Sequence, residues 1–261
     1  MRFDFLFEPF RWLGRWAVDT AAQIGQWGAL GLQTIRALRQ VDTWAPLLLG
    51  QMAKIGVDSV PIALFIASFT GVVMAIQASY TFTGAVPLYF VGALVGKTMM
   101  LELGPVLTGL ALSGRVGANI AAELGTMRVT EQIDALETMA YDPVARLVVP
   151  KVLAGIIMVP VVVILATSIG IAAGWLTSLY RLDMSTPEFM KGLRLFFESW
   201  DVQFAIIKST SFGLAITSIG SFFGFTTRGG AEGVGLAATR AVVVSSMVIL
   251  VLDAFWAATL L

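Results

Sequence analysis

Ser59 to Gly96 is a run of 38 residues without one charged side chain. In water such a stretch has nothing polar enough to cover it. In lipid it is longer than the about 20 residues that cross a bilayer. It therefore reads as two spanning helices and a break between them. Thr81-Phe82-Thr83-Gly84-Ala85-Val86-Pro87 supplies the break, because Gly and Pro interrupt helices. The first span is expected near 55–80, after Lys54 and Asp58, with a tight turn at 81–87. The second helix follows from about 88 to 120 and carries Lys97, Glu102 and Arg115. Val152 to Tyr180 is again uncharged and forms a third span, followed by a polar loop at 181–201. A fourth span is expected at about 202–226, with Lys208 in it. The Gly-rich link Arg228-Gly229-Gly230-Ala231-Glu232-Gly233 leads to a fifth, which carries Arg240 and Asp253 to the end of the chain.

Composition agrees with lipid as the solvent. The chain is 57% hydrophobic and 13% charged, against about 25% charged in soluble domains. The expected fold is an all-α membrane protein, a single domain over 1–261, with an N-terminal interfacial region at 1–50 and a transmembrane region at 51–261. Met1–Trp27 interleaves Phe3, Phe5, Phe7, Phe10, Trp12 and Trp16 with Arg11 and Arg15. That mixture suits a helix lying in the membrane interface; the other reading is a poorly ordered tail. It lacks the order of a secretory signal, which has a short charged start and then an apolar stretch. Seventeen basic and 17 acidic residues cancel, so no basic surface for nucleic acid is expected. The sequence has neither Cys nor His. Disulfides, thiol nucleophiles, His-based triads and the usual zinc ligands are thereby excluded.

Orientation follows from Lys and Arg in the loops. With the N-terminus inside, segments 1–58, 120–151 and 226–240 hold six, three and two basic residues, and the outer loops 81–87 and 181–201 hold none and three. Eleven against three places the N-terminus in the cytoplasm. Gly92 and Gly96, Gly170 and Gly174, and Gly220 and Gly224 are each four apart, a spacing that lets helix backbones approach closely in lipid.

Gly92-Ala93-Leu94-Val95-Gly96-Lys97-Thr98 has one residue too few between its glycines for a phosphate-binding loop and lies in an apolar helix. No ATP site is expected in this chain. The loop between the second and third spans is more informative. Val129, Ile133, Leu136 and Ala140 share one helical face, while Glu131, Asp134 and Glu137 lie elsewhere on it. Thr130 is expected to cap this helix and Pro143 to stop it. Helices that rest on a bilayer are usually rich in Lys and Arg, so an acidic one points to docking on a protein. Charges within a membrane are costly and face a partner, a cavity or a pathway. Lys97, Glu102, Lys208 and Asp253 lie at similar depth. They form either structural ion pairs or a polar patch lining a cavity. Arg115, Asn119 and Glu123, spaced four apart, are expected to form a structural network.

The run Glu102-Leu103-Gly104-Pro105-Val106-Leu107, the stretch Ser113-Gly114-Arg115-Val116-Gly117-Ala118-Asn119 through Glu123-Leu124-Gly125-Thr126-Met127, and the loop Thr130-Glu131-Gln132-Ile133-Asp134-Ala135-Leu136 ending in Asp142-Pro143 together resemble the MlaE (YrbE) permeases. The resemblance implies a homodimer that moves phospholipid, driven by a separate cytoplasmic ABC ATPase that binds the ATP and Mg. It also implies a periplasmic MCE-domain protein and, in some systems, a small STAS-domain protein. Carried over residue by residue, it puts Glu102 at a lipid cavity with Leu101 and Gln77 near the headgroup. It puts ATPase coupling on Met127, Thr130, Glu131, Ile133, Asp134, Leu136 and Glu137, within a helix spanning roughly Thr126–Tyr141. Many members have Arg immediately before the glutamate where this chain has Leu101, so any role of that arginine does not transfer. The competing class is an ATP-independent transporter or channel, for which the four outer charges are the available coupling residues.

Overall fold

The computed structural model describes residues 4–81, 87–182 and 184–260, with side chains from Ala17 onward. The turn expected at 81–87 falls, apart from Thr81 and Pro87, outside these residues, as do the side chains of the aromatic N-terminal stretch through Trp16. Among the described residues every regular element is helical: α1 (Asp4–Ala37), α2 (Val41–Ile55), α3 (Val60–Thr81), α4 (Tyr89–Thr98), α5 (Gly104–Leu112), α6 (Ala118–Val129), α7 (Gln132–Thr138), α8 (Val149–Arg181), α9 (Thr186–Leu195), α10 (Ser199–Phe225) and α11 (Gly230–Leu260). Single turns of tighter or wider helix join several of these end to end. The result is five rods long and apolar enough to cross a membrane: Val41–Thr81, Tyr89–Val129, Val144–Arg181, Ser199–Phe225 and Gly230–Leu260.

The packing of α3 is the reverse of a soluble helix. Its buried residues are Ala63, Ala67, Gly71, Ala75 and Ala78, while Phe65, Phe69, Val73, Ile76 and Tyr80 are exposed. Lipid is as apolar as a phenylalanine side chain, so burying large groups between helices brings no solvent advantage. Close backbone approach gives dispersion contacts instead. α8 answers with Gly170 and Gly174: a Cβ on Gly71 would strike the Gly170 backbone. Further back along the same rods, Trp44 packs with Ala145 and Val149, and Gly56 abuts Met158. The α2–α3 rod and α8 thus run side by side in one direction. The first rod begins at Val41 because α2 continues into α3 through a single 3-10 turn at Val57–Ser59.

Two wide π turns precede prolines. Met99–Leu103 leads into α5 with Pro105 in its first turn, and Val144–Val148 leads into α8 with Pro150 likewise placed. Proline has no N–H for the carbonyl four residues back, and a π turn is one way a helix absorbs that break. A third π turn, Ser113–Gly117, separates α5 from α6.

The segment 181–201, expected to be a polar loop, folds into α9. Its start is a capping box: the Glu188 carboxylate accepts hydrogen bonds from the Ser185 N–H (2.9 Å) and hydroxyl (2.8 Å). These bonds hold the Glu188 carboxyl below its ordinary pKa. α9 lies directly on α4, because Gly92 and Gly192 leave room for the Phe189 and Tyr89 carbonyls. At the link between α10 and α11, Gly229 and Gly230 adopt φ of 92° and 68°, which glycine tolerates without strain. The last turns of α1, from Trp27 on, and Leu38 just beyond them lean toward α8, α10 and α11 and line with them an apolar groove of about 520 Å³.

Candidate functional site

Four of the charges on the rod Tyr89–Val129 are answered by neighbouring rods, the outer two of them by α10. At the outer end Lys97 of α4 donates to both carboxylate oxygens of Asp201 (2.8 and 2.9 Å) and to the Phe196 carbonyl (3.1 Å). Glu198 stands 3.9 Å away. Asp201 also accepts from the Glu198 N–H at 3.1 Å, so one buried carboxylate caps α10 and anchors Lys97.

Five residues further on, about 7 Å along the helix axis, comes Glu102. Lys208 of α10 donates to its Oε2 at 2.8 Å and to the Leu101 carbonyl at 2.9 Å. Asp253 of α11 is in ion-pair contact with the same ammonium. The Leu101 carbonyl is free to accept because its helical partner would be the N–H of residue 105, a proline. The ring of Phe204 lies 4.9 Å from the Lys208 nitrogen. An ammonium has three protons to donate, and here three oxygens of three different groups surround it. Lys208 is fully buried, whereas the Glu102 side chain is 39% exposed and that of Asp253 20%. The Glu102 Oε1 has no partner among the described residues.

About 20 Å deeper along the rod, Arg115 reaches Ser59 and the Lys54 carbonyl, and its other amine is 3.8 Å from Asp58. Deeper still, Glu123 takes a 3.0 Å bond from the buried Lys151, which is also 3.4 Å from the Gln51 amide oxygen. Arg115 and Glu123 therefore share a helix face but no network. Each ties α6 or the turn before it to the first rod, directly or through α8.

Of the four charges expected to meet, the structure brings Glu102, Lys208 and Asp253 together. Lys97 instead pairs with Asp201 and Glu198, two residues assigned from sequence only to the loop end. Gln77 is exposed on α3 and makes no side-chain contact with the cluster among the described residues. Lys151 was also missed. Its signal was a lone Lys at the border of an uncharged span, a position that requires a carboxylate partner.

Helix α7 is shorter than expected and starts later. The periodicity of α6 runs on to Val129, and the Thr130 hydroxyl bonds back to the Thr126 carbonyl at 2.8 Å. Thr130 therefore ends α6 rather than capping α7. Glu131 turns the chain with a left-handed φ of 58°, and α7 runs from Gln132 to Thr138. Ile133 is buried and Leu136 half-buried, but Ala140 is exposed and lies past the helix end. Asp134 pairs with Arg128, which leaves Glu131, Glu137, Met139 and Tyr141 facing outward.

Ionic groups held at this depth are a mark of membrane proteins that handle something polar within the bilayer. With five rods around them long and apolar enough to cross a membrane, the architecture is that of a multi-pass membrane protein. The sequence model of the family described as Permease MlaE matches residues 48–259, and the chain belongs to that family of ABC transporter permeases. It is 37% identical over 239 residues to a probable ABC transporter permease protein of Rickettsia bellii, covering 92% of each chain. It is 34% identical over 242 residues to the intermembrane phospholipid transport system permease protein MlaE of Haemophilus influenzae, covering 92% of this chain and 93% of that one. It is also 34% identical over 223 residues to the chloroplast protein Trigalactosyldiacylglycerol 1 of Arabidopsis thaliana, 85% of this chain and 63% of the plant one.

Proposed function

We propose that this chain is the membrane-spanning, non-catalytic half of an ABC-type phospholipid transport system of the bacterial inner membrane. Two copies enclose a lipid cavity, and a separate cytoplasmic ATPase, which binds ATP and Mg, drives it. The observation that carries this reading is the half-open carboxylate. Glu102 is held inside the bilayer region by a fully buried Lys208, yet keeps 39% of its side chain accessible. A purely structural ion pair gains nothing from that opening. The exposed apolar faces of α3 and α11, with Phe65, Phe69, Met247 and Val251, are walls for acyl chains. Gln77 and Leu101 stand toward the headgroup end.

The ATPase docks on α7. Ile133 fixes this helix under α6, and Glu131, Glu137, Met139 and Tyr141 form the contact surface. Asp134, about half exposed, stands beside that surface in an ion pair with Arg128. The excess of basic residues on the α7 side supports a cytoplasmic N-terminus. The opposite, α9 side then faces the periplasm and meets an MCE-domain protein; a STAS-domain subunit joins on the cytoplasmic side in some systems.

The test is charge reversal on the contact surface, Glu131→Lys with Glu137→Lys, in the full chain reconstituted with its ATPase. The ATPase is expected to dissociate and lipid transport to stop, with the permease still folded. If both binding and transport persist, the coupling role of α7 is wrong.

A further inference from the structure

The composition of the Glu102 cluster bears on which headgroup it accepts. Lys208 donates to the Leu101 carbonyl and to Glu102, stands in ion-pair contact with Asp253, and is buried from any ligand. One cation against two carboxylates leaves the cluster with net charge −1. The groups that remain reachable are the two carboxylates, Glu102 more than Asp253. The next charge outward repeats the pattern: Lys97 is held by Asp201 and Glu198, again one cation against two carboxylates. Residue 101, adjacent to Glu102, is an uncharged leucine whose carbonyl is already bonded. Within about two helix turns of Glu102 along this rod, no cation is left over for a phosphate.

We propose that the site selects phospholipids by a headgroup ammonium, which the Glu102 carboxylate receives, and disfavours headgroups of net negative charge. This rests on the lipid-cavity reading above. A primary ammonium has three donors for the free Oε1 and its surroundings, and it brings the local charge to zero. A headgroup whose only charge is its phosphate would add a second unpaired negative charge in a poorly solvated place, where like charges repel strongly. The zwitterion places its own phosphate outward, toward the membrane interface.

The experiment uses the full chain with its ATPase in nanodiscs of equal phosphatidylethanolamine and phosphatidylglycerol. Retained lipid is measured by mass spectrometry after detergent washing. The wild type is expected to hold phosphatidylethanolamine with at least a tenfold enrichment over the bilayer ratio. Glu102→Gln is expected to bring the ratio within twofold of the bilayer, and Glu102→Asp to preserve the enrichment. Leu101→Arg, which adds a cation beside the carboxylate without removing any bond of the cluster, is expected to move the ratio toward phosphatidylglycerol. Co-purification of the ATPase serves as the check on folding of each variant. Wild-type protein that carries phosphatidylglycerol at or above its bilayer share overturns the selectivity, as does a ratio unmoved by both Glu102→Gln and Leu101→Arg. Wild-type protein that retains no lipid of either kind overturns the cavity reading itself.

Discussion

Replacing Lys208 by methionine removes the one cation of a buried cluster and nothing else of comparable volume. Three groups lose a partner: the Leu101 carbonyl, Glu102 and Asp253. Breaking a buried ion pair from one side costs about 3–5 kcal/mol, because a charge is left without compensation. The stranded carbonyl adds about 1–3 kcal/mol, the cost of an unsatisfied buried acceptor. Pro105 cannot supply the missing N–H. Part of the ionic cost is offset because the Glu102 and Asp253 side chains are not fully buried. Lys208→Met is therefore expected to lose roughly 3–5 kcal/mol, a large share of the about 5–15 kcal/mol that holds a typical protein folded. The triple variant Lys208→Met, Glu102→Gln, Asp253→Asn removes the uncompensated charge and is expected to recover most of the loss. What stays is the carbonyl term, about 1–3 kcal/mol. Equilibrium unfolding in mixed micelles, followed by the fluorescence of the seven tryptophans, measures both. A Lys208→Met protein within about 1 kcal/mol of wild type would refute the argument, since breaking a buried pair is expected to cost several times that. A triple variant no more stable than the single one would also refute it.

On α3 the expected mutational pattern is inverted. Gly71→Leu drives its side chain into the Gly170 backbone and is expected to cost about 1–3 kcal/mol by overpacking. Phe69→Ala on the exposed face is expected to change stability by under about 0.5 kcal/mol, and the same micelle titration ranks the two. Asp201→Asn leaves Lys97 with only the more distant Glu198 as counter-charge and weakens the α10 cap. Faster backbone hydrogen exchange is expected at 186–205, with exchange at α7 unchanged. Glu188, outside the spans, contributes to α9 through a lowered carboxyl pKa. That contribution is complete above its ordinary value of 4.5 and is lost as pH falls through the lowered one. Exchange protection of α9, corrected for intrinsic rates, should therefore drop in acid in the wild type and be pH-independent in Glu188→Gln.

The five spans were readable because each needs only a long, predominantly apolar stretch with few charges, a property of single segments. The Gly92, Gly170 and Gly220 spacings were equally readable, although which helix met which was not. α9 was overlooked, yet Ser185-x-x-Glu188 with Pro187 between them is a helix start that sequence alone displays. It was hidden by the habit of reading a charged segment between spans as loop. The start of α7 was misplaced for a subtler reason. Thr130 has the right side chain for an N-cap, but the same hydroxyl can bond four residues back, and the unbroken pattern of α6 decided in favour of that. The cluster was half legible. Depth alone matched Lys97, Glu102, Lys208 and Asp253, but pairing depends on azimuth around each helix. That angle is set by packing, and it sent Lys97 to Asp201.

The rod from Tyr89 to Val129 touches everything that matters here: α9 at one end, Glu102 near that end, and α7 directly after the other. It is 41 residues long, about 60 Å at 1.5 Å per residue. It is a jointed pushrod rather than a rigid pin, since π turns interrupt it at Met99–Leu103 and Ser113–Gly117. Its outer segment is riveted to α9 through Gly92 and Gly192 and to α10 through Lys97 and Asp201. On the coupling role proposed for α7, a displacement delivered there would reach the Glu102 carboxylate through the lower joint, with the outer end held by these contacts. The upper joint contains Glu102 itself, so any bending there would turn the carboxylate directly, with no intervening segment to absorb it.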